Sequence, residues 1–262
     1  MADPEKREQE RAEILEQGNI YFVYRPKVKG ADEAHAVDSF ADVQRTYIVL
    51  SPHGKKRFRL IAIGQKQLPD ISGGEKNWGF VERVENSAKK IEEELQRDRY
   101  QTKTQGERIR PAARPAGEGV YALVRHRDHT HLAYALELPA EPGAVQRTLH
   151  IEQQASYVLS IKNPEQASAG HAGMDEKRRV RFPKHLQERF RERRFIPADP
   201  PDFLDHEGAE VLFIGAADEI PKELGLSLEP QHETESKAEI FRELRMAKSR
   251  HPVKPLLEGQ WD

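Results

Sequence analysis

The chain has 262 residues, with 42 Lys or Arg against 44 Asp or Glu and no cysteine. A formal charge of −2 gives no global attraction to nucleic acid or anionic lipid, and the missing thiols exclude disulfides, thiolate zinc sites, iron–sulfur clusters and cysteine nucleophiles. With 37% apolar and 33% charged residues, stability must come from dense Ile, Val, Leu and aromatic blocks.

The first residues carry no apolar leader and no later stretch approaches the ~18 apolar residues of a membrane span, so a soluble, cytoplasmic protein is expected. Asp3 can cap a helix with Pro4 and Glu5 in its first turn and Gly18 beyond its end, which predicts an N-terminal helix within 1–17. Residues 18–99 then read as a first β unit with strands at 20–25, 43–50 and 57–63, a turn at 51–54 and a strand starting at Trp78. A short charged helix follows at 87–97, with Ile91 and Leu95 four apart. Residues 100–119, rich in Arg, Gly and Pro, read as a linker.

A second β unit is predicted over 120–216, opening with strands at 120–126 and 129–138 joined by Arg127-Asp128, then strands at 145–151, 155–162 and 209–215. Within it Phe182, Leu186 and Phe190 stand four apart and put an apolar stripe on a basic helix at 183–194. Residues 217–262 form the last segment, a helix from Ser236, capped by Ser236 and Glu239, and an extended tail.

Short strings recur about a hundred residues apart. Ile20-Tyr21-Phe22-Val23-Tyr24-Arg25 matches Val120-Tyr121-Ala122-Leu123-Val124-Arg125, and Val43-Gln44-Arg45-Thr46 matches Val145-Gln146-Arg147-Thr148. Phe58 to Ile63 likewise matches Tyr157 to Ile161. An internal duplication is the simplest reading. The predicted fold is therefore α+β: two related, mainly antiparallel β units, barrel-like or forming one continuous sheet, with peripheral helices. Tyr21, Arg45, Tyr121 and Arg147 are then repeat-equivalent structural residues.

Several strings, among them Gly18 to Pro26, Trp78-Gly79-Phe80-Val81, Pro111 to Gly117, His129 to Tyr134 and Ile196 to Pro201, give the chain a further likeness. Over most of residues 14–216 it resembles a family of uncharacterised proteins of bacteria and filamentous fungi. Some fungal members are labelled BTB-domain transcription factors, but this chain lacks the mostly helical pattern of a BTB domain. The resemblance implies no catalytic residues.

Two constellations could carry chemistry. A two-residue loop at Arg127-Asp128 places His126 opposite His129, with His131 on the same face, so three imidazoles share a patch suited to a divalent metal. The opposite face, with Tyr121, Leu123, Leu132, Tyr134 and Leu136, reads as core. Second, Lys177 to Arg194 holds nine Lys or Arg against two Glu. There Arg181, Lys184, Arg191 and Arg194 are candidate ligands for an anion or nucleic acid, supported by Arg108, Arg110 and Arg114. Lesser candidates are the acidic run Asp199 to Glu207 and the basic turn His53 to Arg57.

The sequence has no phosphate loop, no H-E-x-x-H and no G-x-S-x-G, so it leaves open whether the protein is an enzyme. The leading expectation is a module that binds a small ligand or a protein partner in a cleft between the halves or against the basic helix. The alternatives are a metal-dependent enzyme using His126, His129 and His131, and a nucleic-acid-associated protein acting through residues 177–194, which is not favoured.

Overall fold

The computed structural model describes residues 12–30, 36–102, 106–166, 179–217, 219–230 and 238–262. Its first strand, β1 (Glu13–Pro26), is followed by β2 (Lys29–Gly30), β3 (Val43–Pro52), β4 (Phe58–Ile63) and β5 (Lys76–Glu85). Helix α1 (Ala88–Leu95) leads to β6 (Asp98–Thr102), β7 (Gly106–Arg110), β8 (Arg114–His126) and β9 (His129–Leu138). Then come α2 (Ala144–Leu149), β10 (Gln154–Lys162), α3 (Lys184–Gln187), β11 (Phe195–Pro197), β12 (Glu210–Ala217) and α4 (Ile220–Leu224). Helices α5 (Glu239–Arg242) and α6 (Lys254–Glu258) complete the order.

Eight of these strands close into an antiparallel barrel. The meander β1-β3-β4-β5 and the meander β8-β9-β10-β12 are joined along β5–β12 and β1–β8. Strand β11 extends the sheet beside β10, while β2, β7 and β6 form a separate three-stranded sheet. Eight strands leave a lumen that side chains can fill. Here Ile20, Phe22, Ile48, Ile61, Leu132, Tyr134, Tyr157 and Phe213 are all buried. The rings of Phe22 and Tyr134, of Tyr134 and Tyr157, and of Tyr157 and Phe213 pack with centroids 4.9, 6.3 and 6.3 Å apart.

Both mouths are closed. At one, Phe182, Phe190 and Phe203 stack with centroids 5.2–5.8 Å apart above a buried ion-pair network. In that network Arg59 donates to Glu16 at 2.5 and 3.0 Å and to Asp205 at 2.7 Å, and the Tyr121 hydroxyl donates to Glu16 at 2.9 Å. Burial acts to raise the Glu16 carboxyl's pKa, but the bonds and charge of Arg59 outweigh it and hold the group low. At the other mouth α2 and the chain end pack together: Trp261 meets Tyr24 edge-on at 5.5 Å and Arg114 pairs with Asp262.

Outside the barrel, residues 238–262 and α1 cover Tyr21, Val23, Val49 and Leu60. Tyr21 and Ser51 donate hydrogen bonds to Glu243, tying that cover to β1 and β3. Helix α4 covers Ala122, Val124 and Ala133. No helix among the described residues is long and apolar enough to cross a membrane.

Several expectations are corrected. Residues 1–11 lie outside the described residues, but 13–17 begin β1 rather than ending a helix. Gly18 sits inside that strand because a Cβ there would lie 2.1 Å from the Ser51 carbonyl oxygen. The 100–119 linker is instead β6, β7 and the start of β8, where Gly119 lets the backbone approach Ala135. Residues 145–151, read as a strand, hold α2. The basic helix is helical only over α3 and a following 3-10 turn, Glu188–Phe190, because Arg191 and Glu192 take positive φ of 44° and 65°. Its apolar stripe is nevertheless buried as expected. Ser236, the expected cap, lies outside the described residues, and the tail contains α6.

Two pairs of repeated strings lie in corresponding strands, β1 with β8 as the first and β4 with β10 as the third of each meander, but their side chains do not face the same way and the remaining pair differs in element, so a duplication is not confirmed. Val43 to Thr46 is in a strand and Val145 to Thr148 in a helix. Arg45 is exposed and pairs with Glu82 at 3.3 Å, whereas Arg147 donates to the Pro142 carbonyl at 2.6 Å. Tyr21 faces outward toward Glu243, while Tyr121 belongs to the lumen core. A one-residue slip reverses every side chain in a strand, and the matched strings carry that slip.

Candidate functional site: an arginine-lined cavity at one mouth

The closed Arg59 mouth also carries the β8–β9 hairpin tip and the segment that returns from the Phe190 turn to β11. His126 and His129 are register partners, so the loop is the two residues Arg127 and Asp128, with Arg127 at φ 56°. Side chains at Arg125 and Thr130 lie on one face of the hairpin, and those at His126, His129 and His131 on the other.

Between the tip and residues 189–199 lies a cavity of about 480 Å³, the size of a small-molecule site. Arg125, Arg127, Arg189, Arg191 and Arg193 line it with His129 and Thr130, against two acids, Asp128 and Asp199. Asp199 is already engaged. Its carboxylate accepts from Arg125 Nε at 2.7 Å, and its carbonyl accepts from Arg189 Nη1 at 3.0 Å. The Asp199 hydrogen bond holds the Arg125 guanidinium's pKa above its ordinary value, and Glu13 adds to this at 2.6 Å. Arg193 Nε makes a long bond of 3.4 Å to the Phe190 carbonyl. The guanidinium groups of Arg127 and Arg191 have no hydrogen-bond or ion-pair partner among the described residues.

Two further features set the cavity apart. Arg127 and Arg191 both hold the left-handed backbone that L side chains avoid at a cost of about 1 kcal/mol, so the fold projects these unpaired cations from strained positions. Thr130 is fully buried and its hydroxyl has no hydrogen-bond partner among the described residues. A buried hydroxyl of this kind usually has one.

The histidines divide. Their rings share a patch, with centroids 5.8 Å apart for His126 and His131 and 6.5 Å for His129 and His131. Only His129 lines the cavity, beside Asp128 at 3.4 Å. His131 is buried under α4, with Nδ1 3.8 Å from Glu223 and without a hydrogen bond among the described residues. Burial first, then the neighbouring His126 and His129, push its pKa down to about 4. Among the described residues no group of three His, Cys, Asp or Glu could hold a metal ion, so the expected three-histidine metal centre is not assembled there.

Of the four anion ligands expected from the basic run, only Arg191 reaches the cavity. Arg181 and Lys184 are exposed and do not line it, Lys184 lying 3.7 Å from Glu188, and Arg194 lies over the Phe195 ring at 5.5 Å. The supporting linker arginines are also elsewhere, Arg110 with Asp98 and Arg114 with Asp262. Asp205 and Glu207 of the acidic run bind Arg59 and Arg83, and Lys55 and Arg57 of the basic turn bind Glu16 and Asp205.

The residues that sequence reasoning missed are Arg125 and Arg127. Their signal was present as two arginines flanking His126 at a hairpin tip, but nothing local said that the tip would face residues 189–199. No protein-family model, curated protein or solved structure matches the chain.

Proposed function

We propose that the protein is a binding module for an anionic small ligand, held between the β8–β9 hairpin and residues 189–199. One observation carries the reading: among the described residues five arginines line one cavity with two acids, and the guanidinium groups of Arg127 and Arg191 have no partner. Guanidinium groups present planar forks of N–H donors that match the oxygens of phosphate or carboxylate. Binding needs no metal and no nucleophile, which agrees with the absence of common catalytic motifs from the sequence.

Inorganic phosphate tests this at constant ionic strength. A ligand that binds only the folded state raises the melting temperature by mass action. The parent should melt higher in phosphate than in chloride, and the double variant Arg127→Asn, Arg191→Asn should not. Asn tolerates the left-handed backbone, so this variant keeps the fold while losing both cations. An equal rise in parent and variant would place the anion elsewhere.

A further inference from the structure

Resting on that reading, we infer that the ligand is a compact, non-aromatic polyphosphate, with at least two linked phosphate groups and no nucleobase to be stacked. Charge is the first argument. Among the described residues five arginines line the cavity against two aspartates and against the Glu13 that pairs with Arg125, a formal balance of +2. A phosphate monoester carries about −1.5 to −2 at pH 7, so one group can match that charge in total but not in place. The charge is spatially divided, with Arg127 on the hairpin and Arg191 and Arg193 on the facing segment. Neighbouring phosphates can engage both walls, whereas a single group serves one wall and leaves the other arginines facing each other.

The lining supplies the second argument. Among the described residues it contains no aromatic side chain besides His129, and the aromatics nearest in sequence are turned away. Phe190 is 1% exposed and packs on Phe182 and Phe203, while the Phe195 ring lies 5.9 Å from Trp78. Proteins that hold single strands without reading sequence use aromatic faces as stacking platforms, and among the described residues this wall offers no Phe, Tyr or Trp. Its apolar share is Ile196 and Pro197.

Titration calorimetry of the full chain with pyrophosphate, orthophosphate, ADP and a thymidine dodecamer tests the inference. Pyrophosphate should bind at least about tenfold more tightly than orthophosphate, and ADP no more tightly than pyrophosphate. The Arg127→Asn, Arg191→Asn variant should lose about tenfold or more toward pyrophosphate with an unchanged circular dichroism spectrum. Equal affinity for orthophosphate and pyrophosphate would overturn the two-phosphate inference. Preference for ADP or the oligonucleotide, still dependent on Arg127 and Arg191, would overturn the non-aromatic inference and leave an anion site standing. Pyrophosphate binding unaffected by the variant, or no binding of any probe, would remove the site itself.

Discussion

Arg127 and His131 stand four residues apart on one hairpin and show two different uses of polar side chains. The Arg127 guanidinium is held out from the loop without a partner among the described residues, whereas His131 is buried beside α4, where burial and the neighbouring histidines outweigh the Glu223 carboxylate 3.8 Å away and keep it neutral. The second has a pH consequence. The His131 pKa is about 4 in the fold against an ordinary 6.5, so between those values the unfolded chain binds a proton that the native state does not. Stability is therefore full above about pH 6.5 and falls as pH drops toward 4, by roughly 3 kcal/mol from this group. Urea unfolding at pH 7.5 and pH 4.5 should show that loss in the parent, and His131→Leu should remove about that much of it. A variant whose stability falls by as much as the parent's would contradict the assignment.

At the scale of elements, the strand blocks around Ile20, Tyr47, Leu60, Leu123, Tyr134 and Val158 were legible because β-branched and aromatic runs bounded by turns have few other uses. So was the core face of the β8–β9 hairpin. Other elements were set by contacts that the local sequence does not announce. Val145 to Thr148 has the composition of a strand, but it is helical where Gln146 donates to the carbonyls of Ala116 and Pro255 and accepts from the Gly143 N–H. Glu13 and Glu16 look like a solvated helix until Arg125 and Arg59 meet them from other strands. The cavity was half legible, since the basic run was visible but the left-handed turn at Arg191 that swings it against the hairpin was not. Residues 238–262 form a cover whose Ile240, Leu244, Met246 and Leu256 are buried on the outer barrel face. Truncating Leu244→Ala should cost about 2–5 kcal/mol by urea denaturation. A loss below about 0.5 kcal/mol, the range of surface substitutions, would show that the cover contributes no packing.

For the whole molecule, the two meanders share one lumen and two seams, so neither has a core of its own. Thermal unfolding followed by circular dichroism and by tryptophan fluorescence should give coincident curves, because opening either seam exposes the same apolar interior. Two separated transitions would favour independently folding halves. The barrel is filled, and a cavity open to a ligand lies at the Arg59 mouth, where Arg125 of the hairpin donates to Asp199 and Phe190 packs on Phe203. The most direct measurement of that claim is a backbone amide NMR titration of the full chain with pyrophosphate. Shifts concentrated at residues 125–130 and 189–199 are predicted, saturating together. Saturable shifts centred on another surface, or none in those two segments, would contradict it.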